Sequence, residues 1–361
     1  LLKLFPIFAA NKLQFMSTFH KLTIQKIIQE TSNAVSIVFN VPVELKDTFS
    51  FVAGQYVTLK ATINGNEVRR AYSICASQNS NELKIAVKAV TNGVFSTFAT
   101  TELKENDTLE VSAPEGKFIL IPEANKNYIA FAAGSGITPV LSMVKTVLEN
   151  ESSSTFTLIY GNKSAENTIF KSDLDALEKT HDNFNLHYAF SQEQVEGSKF
   201  GRIDSEITNH FVKDLYHNID FDAAFLCGPE EMINVVSQTL QQHTFTKENV
   251  FYELFTASTE ENDVAIPEGK TEITVLLDDE ETTFIMDKKD DILAASLRND
   301  LDAPYSCQGG VCSSCLCKVT QGKAVMTKNS ILSEDEVEEG FVLACQAHPT
   351  TTSIVVDFDD V

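Results

Sequence analysis

The chain has 361 residues, 43% hydrophobic and 22% charged, and carries a formal net charge of −23. That is the composition of a folded globular protein with length for two or three cores, and no stretch of eighteen uncharged apolar residues offers a membrane span. So strong a negative charge disfavours nucleic acid and anionic membranes as partners. The odd, clustered set of seven cysteines does not fit a secreted disulfide framework and points to a reducing, cytoplasmic compartment.

The chain opens on an apolar stretch, "LLKLFPIFAANKLQF", ahead of Met16. Residues 1–18 are read as an upstream extension, with Met16 as the expected start, and are left out of the fold. From 19 to 122 short alternating runs ("LTIQKIIQ", "AVSIVFNV", "YVTLKATI", "LKIAVKAV", "DTLEVSAP") are separated by turn signals such as "INGNE". That pattern predicts an antiparallel β-barrel. From 123 to 256 apolar strands ("YIAFAA", "TFTLIYGN", "NLHYAF", "AAFLCG") alternate with helical stretches, the βαβ pattern of a parallel sheet. Residues 257–270 read as a polar linker, and 271–361 as a third, α+β unit with the hairpin "TEITVLLDDEETTFIM", the helix "DILAASLRNDL" and a cysteine loop. Acid is concentrated there: from Ala257 onward 22 Asp and Glu face 7 Lys and Arg, which is −15 of the −23.

Cys307, Cys312 and Cys315 have the spacing C-x4-C-x2-C, and Cys345 follows in "LACQAHP". Four thiolates so spaced suit a 2Fe–2S cluster, held in a loop whose N–H groups face the sulfurs; structural zinc, the alternative, ordinarily takes two C-x2-C knuckles or a histidine pair. Cys317 alternates along the strand "CLCKV" and is expected in the core. In the first unit, "RRAYSI" offers the Arg70 fork for a pyrophosphate, the Tyr72 ring for stacking and the Ser73 hydroxyl for a flavin nitrogen. After the strand ending at Val87 and Lys88, "NGVFSTF" turns at Gly93 into a helix whose first N–H groups, at Val94, Phe95 and Ser96, are free for phosphate. In the second unit "AAGSGITPV" brings Gly134 and Gly136 to a helix start, with Thr138 and Pro139 as N-cap and first helical residue. Asn162 and Lys163 end the next strand. A cation there with no nearby acid favours NADPH over NADH.

The stretch "PYSCQGGVCSSCLCKV … LACQ" resembles plant-type ferredoxins. The ordered trio R-x-Y-S, G-x-x-S and P-x-G-x-F, with G-x-G-x-T-P and C-G-P after it, resembles the ferredoxin–NADP reductase superfamily. The resemblance implies FAD on the first two motifs, FMN being the alternative, and the nicotinamide nucleotide on the glycine loop. It puts Cys227, Gly228 and Pro229 beside the nicotinamide, and Glu253 and Phe255 of "YELF" near the flavin. The domain order resembles reductase components of multicomponent oxygenases, the phenylacetyl-CoA epoxidase system among them. It implies a protein electron acceptor, with a general ferredoxin–NAD(P)H reductase as the alternative. Ser73, Cys227 and Glu253 are the candidate catalytic residues.

Overall fold

A computed structural model describes residues 19–255 and 264–361; the expected N-terminal extension and most of the expected linker lie outside these. The first unit has strands β1 (His20–Thr31), β2 (Ala34–Asn40), β3 (Tyr56–Ile63), β4 (Asn66–Ser73), β5 (Leu83–Lys88) and β6 (Thr108–Val111), with helix α1 (Val94–Thr101) before β6. They pair antiparallel in the order β4-β3-β6-β1-β2-β5, and the bridge Ile74–Ile85 closes the two ends into a barrel. Alternation explains the arrangement. Leu22, Ile24, Ile37, Leu59, Ile74, Ile85 and Val111, all without exposed surface, fill its interior; of the intervening polar residues Lys21 and Gln25 face water, whereas Ser36, Thr58 and Lys84 are themselves buried.

The second unit contains β7 (Asn127–Ala133), α2 (Ile137–Asn150), β8 (Thr155–Asn162), α3 (Lys171–Thr180), β9 (Phe184–Phe190), β10 (Lys199–Phe200), α4 (Ser205–Asn209), β11 (Ala223–Cys227), α5 (Glu230–Gln241) and β12 (Val250–Glu253). All six strands run parallel in the order β10-β9-β8-β7-β11-β12. The order reverses between β7 and β11. The carboxyl ends of those two strands are therefore the topological switch point, where such sheets hold ligands. No helix among the described residues is long and apolar enough to cross a membrane.

The third unit contains β13 (Lys270–Leu277), β14 (Glu280–Asp287), α6 (Ile292–Arg298), β15 (Leu316–Gln321), β16 (Ala324–Met326), α7 (Glu334–Glu338), β17 (Phe341–Leu343), β18 (Ala347–Pro349) and β19 (Ser353–Asp357). Its main sheet is mixed, in the order β14-β13-β19-β15-β17. The β13–β14 hairpin turns on Asp278 and Asp279, both left-handed (φ 57° and 61°), as a two-residue hairpin turn requires. Asp291 caps α6 by accepting from the Ala294 N–H at 2.7 Å.

The barrel and the parallel sheet share a core. Ala53, Cys75, Phe118 and Leu120 of the first pack into the same apolar cluster as Ile137, Val140, Met143 and Phe225 of the second. Phe118 meets Phe225 edge to face at 5.9 Å.

Candidate active site and cluster loop

At the switch point, Gly136 packs so tightly under β11 that a methyl group there would lie 2.1 Å from the Cys227 carbonyl oxygen. This close approach brings the Gly134–Gly136 turn and the Cys227–Gly228 strand end together; what crowds Gly136 is protein backbone. The turn runs straight into α2, which starts at Ile137. Thr138 and Pro139 therefore lie inside the helix and buried, two positions later than expected, and the Thr138 hydroxyl donates to the Ser135 carbonyl at 3.1 Å. Pro229 takes the N-cap of α5, with Gly228 before it.

Cys227 has no exposed surface, and burial, with the nearby Glu253 carboxyl adding to it, holds its thiol well above the usual range. Cys227 and Glu253 stand opposite each other across β11 and β12. Glu253 in turn accepts a hydrogen bond from the Ser73 hydroxyl at 3.2 Å. Three residues from distant motifs thus meet where the barrel abuts the sheet. Burial pushes the Glu253 carboxyl up to about 8, against the pull of the Ser73 donor, so it is largely a neutral acid at pH 7. Phe255, two residues on, is 40% exposed.

On the barrel wall Arg70 is exposed and has no carboxylate within ion-pair reach among the described residues; its guanidinium donates only to the Arg69 carbonyl, at 2.6 Å. A cation so placed has donors to spare for a phosphate. Tyr72 lies beside it, and its ring sits 5.6 Å from that of Phe95. Gly93 caps α1 at an ordinary φ of −74° with no side-chain cap bond, leaving the first N–H groups of the helix available. Phe95 and Val87 turn their side chains into the barrel core, so only their backbones can face a cofactor. The Ser96 hydroxyl accepts from the Val90 N–H at 3.2 Å.

At the end of β8, the Asn162 side-chain amide is buried without a hydrogen-bond partner for its nitrogen. Lys163 is exposed near Lys88, whose ammonium is held below its usual range by burial and then by that second positive charge. The Lys88 Nζ would lie 3.7 Å from a methyl group on Gly134. The expectation that no acid stands nearby is corrected. Glu193, from the loop after β9, accepts from the Ala165 N–H at 2.8 Å, and a neighbour 30 residues away along the chain is invisible to local reading.

The four cluster cysteines fall into two pairs. The Cys312 thiol donates to Cys307 with the sulfurs 3.1 Å apart, and Cys315 is hydrogen-bonded to Cys345. Two pairs match two irons. Cys307 is pulled down to about 6 by the Cys312 thiol, aided by the N–H groups of Gly309, Val311 and Cys312. The Gly309 N–H donates to the Cys307 sulfur at 3.3 Å. Left-handed turns at Gln308 (φ 52°) and Gly310 (φ 71°) aim these donors inward. The donor set suits a 2Fe–2S cluster, whose charge such N–H groups stabilise. Cys317 is fully buried in the core of the third unit.

Comparisons with known proteins agree with this arrangement. Residues 21–119 match the oxidoreductase FAD-binding domain, 131–238 the oxidoreductase NAD-binding domain and 275–350 the 2Fe-2S iron-sulfur cluster binding domain. Over 351 residues the chain is 40% identical to one of the subunits of 1,2-phenylacetyl-CoA epoxidase from Escherichia coli, covering 95% of this chain and 99% of that one. The chain belongs to the ferredoxin–NADP reductase superfamily, in the branch with a C-terminal 2Fe–2S domain. It is also 31% identical to the ferredoxin reductase component of 3-ketosteroid-9-alpha-monooxygenase from Rhodococcus rhodochrous, over 93% of this chain and 96% of that one. The structure of phthalate dioxygenase reductase superposes with a TM-score of 0.61 at 24% identity, covering 94% and 98% of the two chains.

This reductase is thus an NAD(P)H-dependent oxidoreductase carrying FAD, a nucleotide site and a 2Fe–2S cluster. Reading by motif missed the residues that join the third domain to the other two. Val311 and Cys307 of the cluster loop pack onto the apolar cluster that includes Leu226, Met232 and Leu254 of the nucleotide domain. Arg69, 3% exposed, binds Asp302 and Glu67, each at 2.8 Å, and its guanidinium lies 4.4 Å from the centre of the Tyr305 ring. Lys117 pairs with Glu336. The one available signal was the doubled arginine "RRAYS", in which only Arg70 has a motif role.

Proposed function

We propose that this reductase takes electrons from NAD(P)H and delivers them to the oxygenase component of a phenylacetyl-CoA epoxidase-type system in the cytoplasm. The observation that carries the reading is the seat of the cluster loop, which touches the nucleotide domain through Val311 and the flavin barrel through its serines. When bound, the flavin accepts a hydride and the cluster passes electrons singly. The protein's part is to bind and orient. Arg70 and the start of α1 are assigned to the FAD pyrophosphate, Ser73 and the neutral Glu253 to the polar edge of the flavin ring, and Lys88, Asn162 and Lys163 to nucleotide phosphate. Cys227 and Gly228 form the apolar wall where the nicotinamide is to lie. Seven free cysteines support a reducing compartment, and the acidic third domain favours a basic face on the acceptor.

The test separates the two halves of the relay. Wild-type protein should hold about two irons per chain. Cys345→Ser should lose the iron and all transfer to the epoxidase oxygenase, yet still reduce ferricyanide, which draws on the flavin directly. Cys317→Ser should keep both iron and transfer. Full oxygenase reduction by the iron-free variant would exclude the third domain as the exit.

A further inference from the structure

Tyr56 lies at the start of β3, directly across from Ser73 on β4, so the two side chains share one face of the barrel wall. It is 4% exposed. Its ring fits because residue 116 is a left-handed glycine (φ 119°), where a methyl group would come within 2.9 Å of that ring. Its hydroxyl leaves the barrel and meets the cluster loop, 3.1 Å from Ser314 Oγ and 3.4 Å from Ser313 Oγ. Ser314 Oγ donates onward to Glu115 Oε1 at 3.1 Å, which also accepts from Thr58 Oγ1 at 3.3 Å. With Ser314 committed as donor to the carboxyl, Tyr56 donates to Ser314, and Ser313 to Tyr56. Glu115 is itself locked to Tyr56 by a pair of backbone hydrogen bonds, each 2.9 Å. Every polar atom in this set is satisfied, which rigidifies a buried network.

Ser314 faces both ways. Its hydroxyl belongs to the barrel network, while its backbone lies in the cluster loop between the ligands Cys312 and Cys315. We propose that Tyr56 is a positioning residue for the flavin-to-cluster electron step: through Ser314, which stands between two cluster ligands, it fixes the cluster loop on the flavin barrel. The proposal rests on the serial relay above. The placement of the loop around a cluster helps to set its potential, so a bond made by the flavin domain to the residue between two ligands adjusts the acceptor it feeds. The hydrogen bonds of the Tyr56 hydroxyl run to the cluster loop, so removing that hydroxyl leaves the Ser73–Glu253 bond in place for the hydride step.

Tyr56→Phe in the full-length holoprotein removes only the hydroxyl. Reduction of the flavin by NADPH in stopped flow should stay within about twofold of wild type. Reduction of the cluster, followed by its visible absorption and by the EPR signal of rapidly frozen samples, should slow by about tenfold or more, as small misplacements of reacting groups do. The cluster potential should become more negative, and amide hydrogens of residues 306–316 should exchange faster. Ser314→Ala should do the same, and the double variant should be no worse than either single one, because both remove one link of a chain. If Tyr56→Phe fails to retain iron, Glu115→Gln is read in its place. Unchanged potential together with unchanged loop exchange overturns the proposal, as does a slowing of flavin reduction in equal proportion. If the wild-type cluster is not reduced through the flavin at all, the relay fails, while potential and exchange still judge Tyr56.

Discussion

The barrel meets its two neighbours by different means. Toward the nucleotide domain the contact is built on a continuous apolar core, with Phe118 against Phe225 and Gly54 backed onto Phe118 and Met143, and hydrogen bonds such as Ser142 to the Ala76 carbonyl at 2.6 Å surround it. Toward the ferredoxin domain it is a set of directional polar links at Tyr56, Arg69 and Lys117. Apolar burial gives strength without direction, and it fuses the two domains that must hold one hydride path. Hydrogen bonds and ion pairs give direction with little net strength, which suits a domain that must present a cluster at a set angle.

The contrast is broken most severely at Phe118. Phe118→Ala should cost about 3–5 kcal/mol, since a large ring leaves a cavity shared by two domains. Urea unfolding of the holoprotein, with flavin release followed in parallel, reads the cost. Flavin release and loss of the parallel sheet should coincide. If the two domains instead unfold in separate transitions, the shared core does not couple them.

A polar bond within this junction, Ser73 to Glu253, supplies the next test. Glu253 has an ordinary carboxyl range when unfolded and titrates near 8 when folded, so the folded state holds its proton more tightly. Stability from this group is complete below about pH 4.5 and is lost as pH rises towards 8, the reverse of an ion-paired carboxylate. Glu115, pushed up to about 7 by burial, adds a slope of the same sign over a narrower window. Glu253→Gln should remove the part of the decline that reaches pH 8. At about 1.4 kcal/mol per unit, discounted for water at the domain boundary, that part is roughly 2–3 kcal/mol. A wild-type profile that rises from pH 5 to 8 would contradict a neutral Glu253.

Much of this was legible in the sequence because its signals are local. Alternation marked the barrel strands, the βαβ rhythm marked the parallel sheet, and the spacing of Cys307, Cys312, Cys315 and Cys345 marked the cluster loop. Resemblance brought Ser73 and Glu253 to the same cofactor, and in the structure they are hydrogen-bonded across 180 residues. What local reading could not give was whatever depends on a distant neighbour. Glu193 stands by the Lys163 loop only because β9 lies beside β8. Glu115 occupies a variable position of P-x-G-x-F, and nothing in that motif connects it to Ser314. Thr138 looked like an N-cap because the preceding turn, tightened by Gly136 under Cys227, is invisible without the strand it packs on.

The smallest effect is expected at the other polar link, and it sharpens the comparison. Arg69 is buried, with 4% of its side chain exposed, whereas its partner Asp302 is 78% exposed. The carboxylate is therefore well solvated and its attraction is screened. Arg69 also keeps Glu67 at 2.8 Å and the Tyr305 ring when Asp302 is removed, so its charge is not stranded. Asp302→Asn should cost about 1 kcal/mol or less in unfolding experiments, and raising the salt to about 1 M, where the Debye length is near 3 Å, should shrink that difference. Iron content and flavin reduction should stay at wild-type levels. A loss comparable to that of Phe118→Ala would mean that this link carries binding strength of its own, and the division between a cohesive junction and a directional one would not hold.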